Sequence, residues 1–252
     1  AVQYVDFLGA VLRGDLGTSL VTNRSVWSEV VTVLPFTLNL TISALVIGVV
    51  LGLPLGILAS RYRNGAIDYA ARFFSLIGLS FPAFVSAILL LLAFAIQLHW
   101  FPVISEGRAG DPLDQLRALA LPAVNLGLIM VAYVMRAARS SMLGVLGEDY
   151  IRTARAKGVP ARVVIWRHAL RNALIPVVTV VGLYLGVLIG NSVLTEVVFN
   201  RPGLGKLIVN ALNQRDYTML EGMMVIYAFF IVIVNLLTDL TYGLIDPRVK
   251  RQ

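Results

Sequence analysis

Residues 34–59 read LPFTLNLTISALVIGVVLGLPLGILA, a stretch without one charged side chain. Crossing the hydrocarbon layer of a bilayer takes about 20 predominantly apolar residues in a helix. This stretch meets that length, interrupted only by small polar residues such as Asn39 and Thr41, and stops at Arg61-Tyr62-Arg63-Asn64-Gly65. Working outward, four more stretches share its character: Phe73 to Ile96, Leu119 to Met135, Ala173 to Val193 and Met223 to Leu244. The second ends at Gln97-Leu98-His99-Trp100, a polar and aromatic boundary suited to headgroup depth, and Pro82 is expected to kink it. The reading is an all-α integral membrane protein with five spans.

Composition agrees. Hydrophobic residues make up 58% of the chain and charged residues 14%, with a mean hydropathy of +0.82. Soluble domains run nearer to half apolar and about a quarter charged, so the excess apolar surface needs lipid to cover it. The absence of cysteine excludes a disulfide framework, a thiolate metal site and a cysteine nucleophile. A net charge of +7 would suit nucleic acid in a soluble protein, but the placement of the charge points to topology instead.

Arg61, Arg63, Arg72, the basic residues between Arg136 and Arg171, and Arg248, Lys250 and Arg251 fall on one side of the five spans. Arg13, Arg24, Arg108, Arg117, Arg201, Lys206 and Arg215 fall on the other. The bias of about two to one puts the first set in the cytoplasm. Residues 1–33 and 194–222 are then external, residues 146–171 and the C-terminus cytoplasmic, and no nucleic-acid partner is expected. The chain opens at Ala1 without an initiator Met, and an external start implies an earlier, sixth span on the N-terminal side.

The cytoplasmic segment reads as two short helices. Glu148 to Ala156 carries acids in its first turn and bases near its end, both favourable to the helix dipole. Lys157-Gly158-Val159-Pro160 stops it, because Gly158 can take the left-handed conformation and Pro160 can start the next helix at little cost. Ala161 to Ala169 continues as that second helix and runs through His168-Ala169-Leu170-Arg171 into the fourth span, so the loop is a rigid extension of a membrane helix.

Glu148, Tyr150, Ala154, Gly158 and Ile175-Pro176 resemble the cytoplasmic motif of importer permeases of the ATP-binding cassette (ABC) class. Four stretches resemble the dipeptide, oligopeptide and nickel permease family within it: Arg13-Gly14-Asp15-Leu16-Gly17-Thr18-Ser19, Tyr150 to Gly158, Glu196-Val197-Val198-Phe199-Asn200-Arg201-Pro202-Gly203-Leu204-Gly205, and Asp246-Pro247-Arg248. The resemblance implies a type I ABC importer transmembrane domain working by alternating access in the prokaryotic cytoplasmic membrane. It implies as partners a second homologous permease in a heterodimer, two ATP-binding subunits carrying Mg-ATP, and an external substrate-binding protein. It also implies that Glu148, Asp149, Tyr150, Arg152, Thr153, Ala154, Lys157, Gly158, Arg167, His168 and Arg171 meet the ATPase, and that Phe199, Pro202, Gly203 and Gly205 shape an external loop.

The polar residues in or beside the spans, Asn39, Asn125, Asn191, Ser192 and Asn235, either bond between helices or line the pathway. Asp239 either serves function or pairs with a nearby arginine. Glu196 either faces the outer mouth or caps a helix end. His168 and His99 fall on opposite sides and make no metal pair. Gly203-Leu204-Gly205-Lys206 lacks the Ser or Thr of a phosphate loop, with Leu207 in its place, and no His-Glu-x-x-His or Gly-x-Ser-x-Gly occurs. The chain is therefore expected to be non-catalytic. The alternatives are an autonomous channel or secondary transporter, which has no use for a docking loop, and, far behind, a membrane enzyme.

Overall fold

The computed structural model describes residues 9–104 and 111–245. The stretch Asp246-Pro247-Arg248 and the Asp239 side chain lie outside what is described. Eight helices follow in order: α1 (Val26–Arg61), α2 (Ala66–Ser80), α3 (Ala83–Gln97), α4 (Pro112–Leu146), α5 (Asp149–Ala156), α6 (Ala161–Val198), α7 (Leu204–Gln214) and α8 (Tyr217–Ile245). Four of them (α1, α4, α6 and α8) are long and apolar enough to cross a membrane, and α2 with α3 makes a fifth if the bent pair counts as one span.

That pair departs from the expected kink. The chain turns by 101° between α2 and α3. Proline forces the residue before it out of the helical region, and Phe81 is accordingly extended at φ −90 and ψ 129. The break is complete because Pro82 then starts a new helix, its carbonyl accepting from Val85 N at 2.9 Å and Ser86 N at 3.3 Å.

The helices also outrun the apolar stretches that announced them. α4 begins at an Asp111 cap, whose carboxylate accepts from Leu113 N at 3.0 Å and Asp114 N at 3.2 Å, with Pro112 in the first helical position. It then runs past Met135 to Leu146, so Arg136 and Arg139 are helical rather than loop residues. The segment expected as an external loop is itself mostly helix, in the end of α6 and in α7.

Lipid tails are as apolar as leucine, so helices in a membrane gain association from close packing rather than from leaving water. α1 turns Ala44, Gly48, Gly52 and Gly56, one buried face at four-residue spacing, toward α4. A Cβ on Gly52 would sit 2.9 Å from the Val131 carbonyl oxygen, and one on Gly56 would sit 2.6 Å from the Met135 carbonyl oxygen. α4 reciprocates at Gly127, where a Cβ would stand 2.7 Å from Ile47 Cγ2. The two backbones are in direct contact. α6 joins the same core through Val177, which clusters with Met130, Val134 and Ala138 of α4.

Gly52→Leu is expected to abolish the compact fold, because overpacking already costs about 1–3 kcal/mol where side chains can move and here the obstacle is a main-chain carbonyl. Gly144, on the exposed part of α4 with nothing within 4 Å of its missing Cβ, gives the contrast: Gly144→Ala should raise stability by about 0.5–1 kcal/mol. Thermal midpoints and size-exclusion profiles in mild detergent check both.

Candidate functional site

The α5 hairpin is built from short-range chemistry. Glu148 starts α5 with its carbonyl, which accepts from Ile151 N at 3.1 Å and Arg152 N at 3.2 Å. The other end closes as a Schellman motif. Gly158, at φ +75, donates to the Arg155 carbonyl at 3.0 Å, and Val159 donates to the Ala154 carbonyl at 3.2 Å. Gly158 is thus held in the left-handed region expected of it, with nothing within 4 Å of where a side chain would begin.

One face of α5 is anchored and the rest is presented. Ile151 is fully buried among Ile57, Met142, Val164, Ala169 and Ala173, with Ala154 and Val159 packed beside it. Glu148, Asp149, Tyr150, Arg152, Thr153, Arg155 and Lys157 are exposed, as are Arg167 and Arg171 at the base of α6, while His168 is half-buried. Asp149 and Arg152 pair on the open surface, an arrangement that adds little stability.

Tyr150 ties the hairpin to α6. Its hydroxyl accepts from Asn172 Nδ2 at 2.7 Å and donates to the His168 carbonyl at 3.5 Å. α6 then continues unbroken from Ala161 to Val198, passing through a wider π turn at Val164–Ala169. Ser141 fastens it to α4 by donating to the Ala173 carbonyl at 2.9 Å. The expected hairpin residues therefore form one rigid polar knob at the arginine-rich end of the bundle.

The residues expected along a pathway divide. Asn39 is exposed and lines a cavity of about 410 Å³ with Pro35, Phe36, Gln115, Leu119 and Arg201, at the end of the bundle away from the hairpin. Asn235 is exposed and Asn191 half-buried. Asn125, Ser192 and Glu196 are buried. Asn125 stitches three helices together: its amide donates to the Ala83 carbonyl at 3.1 Å and to Thr195 Oγ1 at 3.4 Å, and its oxygen accepts from Ser86 Oγ at 2.7 Å. Ser192 donates back to the Ile189 carbonyl at 2.7 Å.

Glu196 is fully buried. Its carboxyl accepts from Thr37 Oγ1 at 2.6 Å, from Gly205 N at 2.7 Å and from Lys206 N at 3.3 Å, so it caps the start of α7 rather than its own helix. Thr37 Oγ1 in turn accepts from Leu204 N at 2.9 Å. This arrangement explains the glycines between α6 and α7. A Cβ on Gly203 would collide with the Glu196 carboxyl, and one on Gly205 would stand 2.9 Å from Glu196 Oε2. Phe199 is fully buried against Ala87, Ala95 and Leu121, and Pro202 is half-buried.

Sequence reasoning missed Asp216. This buried carboxylate accepts from Ser19 Oγ at 2.5 Å, Met219 N at 3.1 Å and Leu20 N at 3.2 Å, locking the Arg13-to-Ser19 stretch to the start of α8. Burial alone would raise its pKa, but the hydrogen bonds from Ser19, Met219 and Leu20 outweigh burial and hold it below the usual carboxylate range. Gly17, at φ +82, faces Thr218, whose Cγ2 would lie 2.7 Å from a Cβ there. The cue was Asp216 immediately before the helical run from Tyr217, a cap position.

The chain belongs to the family of binding-protein-dependent transport system inner membrane components, whose description matches residues 52–251. It is 40% identical over 272 residues to the di/tripeptide transport system permease protein DppB of Pseudomonas aeruginosa, covering 99% of this chain and 81% of that one. It is 39% identical to the dipeptide permease DppB of Escherichia coli over the same shares. The glutathione transport system permease protein GsiC of Pectobacterium atrosepticum is 40% identical, with 98% of this chain and 79% of that one covered. In fold the chain matches an inward-facing MetNI methionine ABC transporter with a TM-score of 0.67 at 18% identity, over 86% of this chain and 95% of that one. An amino acid ABC transporter matches with a TM-score of 0.66 at 19% identity, over 94% and 98%. The fold is that of a type I ABC importer transmembrane domain.

Glu196→Ala should lower the thermal midpoint, since each buried donor left unpaired costs about 1–3 kcal/mol. Gly203→Ala should do the same by collision, and the double variant should lose less than the sum, because truncating Glu196 removes what the new methyl strikes. A double-mutant cycle of thermal midpoints measures this. The Asp216 clasp should contribute stability at neutral pH, fully present above the unfolded value of about 3.9 and lost as pH falls through the lower folded value. In Asp216→Ala that acid-sensitive component should be absent, read as protease sensitivity of residues 13–25 against pH.

Proposed function

We propose that this chain is the permease subunit of an ATP-driven importer for peptides or similarly sized solutes, forming half of the translocation pathway. The carrying observation is the α5 knob, fastened to the continuous helix α6 by Ile151 and Tyr150 and presenting charge to solvent. Membership of a family of binding-protein-dependent transport components supports the reading, as do relatives named for dipeptides, tripeptides and glutathione.

In this reading the knob lies in the cytoplasm and docks on an ATPase, with Glu148, Asp149, Arg152, Thr153, Ala154, Lys157, Arg167 and Arg171 forming the contact. Two ATP-binding subunits carry Mg-ATP and do the hydrolysis, while this chain contributes no catalytic group. A second, homologous permease supplies the other pathway wall, and an external binding protein delivers solute to the end that carries α7. Closure of the ATPases tilts α6 through its base and alternates access. Switching a two-state transporter from about 1:99 to about 99:1 takes about 5.5 kcal/mol of differential binding, and a stiff joint delivers more of that to the membrane than a flexible one would. Asn39 and the outer cavity around it are the strongest candidates for solute contact.

Coexpression of the full-length protein with its neighbouring ATPase genes, reconstitution in lipid, and measurement of ATP hydrolysis and solute uptake test this. Wild type should assemble and transport. Gly158→Val should lose coupling at least tenfold, because a β-branched residue is strained at positive φ, whereas Gly158→Asn, which tolerates that region, should retain it. Failure of the wild type to bind any ATPase would favour an autonomous transporter.

A further inference from the structure

The hairpin end of the bundle carries a second charged feature that solute transport does not use. Between α2 and α4 lies a cavity of about 320 Å³ whose polar lining includes Arg72, Arg136, Arg139 and Ser80, with Leu76 and Leu79 on its apolar side. Its lining holds three guanidinium groups and no carboxylate.

One acid stands behind it. Asp68 is fully buried and bonds to Arg72 through Nε at 3.3 Å and through Nη2, and to Arg139 through Nε and, at 2.9 Å, Nη2. It also accepts from Asn64 N at 3.0 Å. This single negative charge is bonded to two arginines, and Arg136 is not among its hydrogen-bond partners. Arg136 is exposed and rests over the Tyr133 ring at 5.9 Å, while Arg72 rests over Tyr69 at 5.1 Å. The cluster therefore carries about two uncompensated positive charges around a hollow, with Leu76 and Leu79 continuing from it.

The depth fits as well. Arg136 directly follows the apolar run 119–135 and Arg72 directly precedes Phe73, so both sit where hydrocarbon gives way to headgroups. Basic pockets between membrane helices at that level recognise phosphate headgroups. Guanidinium is suited to the task because its planar fork bonds phosphate oxygens in pairs and holds its charge when partly desolvated.

We infer that the α2–α4 cavity is a binding site for the phosphate headgroup of an anionic phospholipid, held by Arg72, Arg136 and Arg139, with the acyl chains lying along Leu76 and Leu79. Asp68 is the positioning residue that spreads Arg72 and Arg139 from behind. The site rests on the membrane reading alone and stands whether or not the importer reading does.

The test uses the full-length protein with its copurifying subunits, extracted in mild detergent from membranes containing phosphatidylglycerol and phosphatidylethanolamine, with bound lipid quantified by mass spectrometry. Wild type should retain phosphatidylglycerol selectively. Arg136→Gln, which leaves the Asp68 network untouched, should reduce retention about fivefold, the factor equivalent to about 1 kcal/mol for one arginine near the surface. Arg24→Gln, at the opposite end of the bundle, should leave it unchanged. Equal retention of both lipids by wild type, or equal losses in the two variants, would overturn the site. Binding of soluble glycerol phosphate with the same Arg136 dependence but without retained lipid would overturn the lipid assignment and make the occupant a free phosphate.

Discussion

A carboxyl group removed from water must find donors or forfeit several kcal/mol, and Glu196 finds its donors on two other elements. Thr37 comes from α1, while the Gly205 and Lys206 amides come from the start of α7. Because those amides are otherwise the unpaired donors of a helix start, one side chain begins α7 and pins α6 and α7 to α1. The segment between α6 and α8 owes its position to this junction. Phe199 is drawn into the pocket beneath α3, and the path of the chain then brings Asp216 to the turn at Ser19.

The same constraint runs through the membrane-embedded part. Breaking a span at Pro82 leaves a new helix start among other helices rather than in water, and Asn125 and Ser86 bring side-chain donors to the Ala83 carbonyl there. A sharp bend is tolerated where neighbouring side chains satisfy the freed polar groups. Asn125 ties the start of α3 to α4 and α6 beside the 101° turn.

What could be read in advance follows from how local the determinants are. The apolar runs announced the spans, and Gly158 with Pro160 announced the hairpin, because chain punctuation acts over a few residues. The ends of α4 were misjudged because charge was equated with loop, whereas a long helix carries Arg136 and Arg139 out to the headgroups on its own axis. The Asp111-Pro112 cap was present in the sequence but stood apart from the apolar run it starts. Glu196 and its glycines were visible as neighbours in one motif; their relationship was not, because it depends on a turn folding Gly203 back onto the preceding helix. The Gly48, Gly52 and Gly56 spacing was equally visible and acquires meaning only from the facing carbonyls of α4.

That last contact limits how the molecule can deform. Helices separated by a layer of side chains can slide, because rotamers rearrange at small cost, but at Gly52 and Gly56 the main chain of α1 lies directly against carbonyls of α4. Those two positions key the helices together. Any internal rearrangement must be accommodated at seams that contain side chains, and between α4 and α6 that seam is lined by the stacked Tyr133 and Tyr184 rings, 3.5 Å apart at their centroids and inclined by 25°. Two flat rings form a surface of low corrugation. The joint between α4 and α6 is thus smoother than the keyed joint between α1 and α4, with the Ser141 hydrogen bond fastening it at one end.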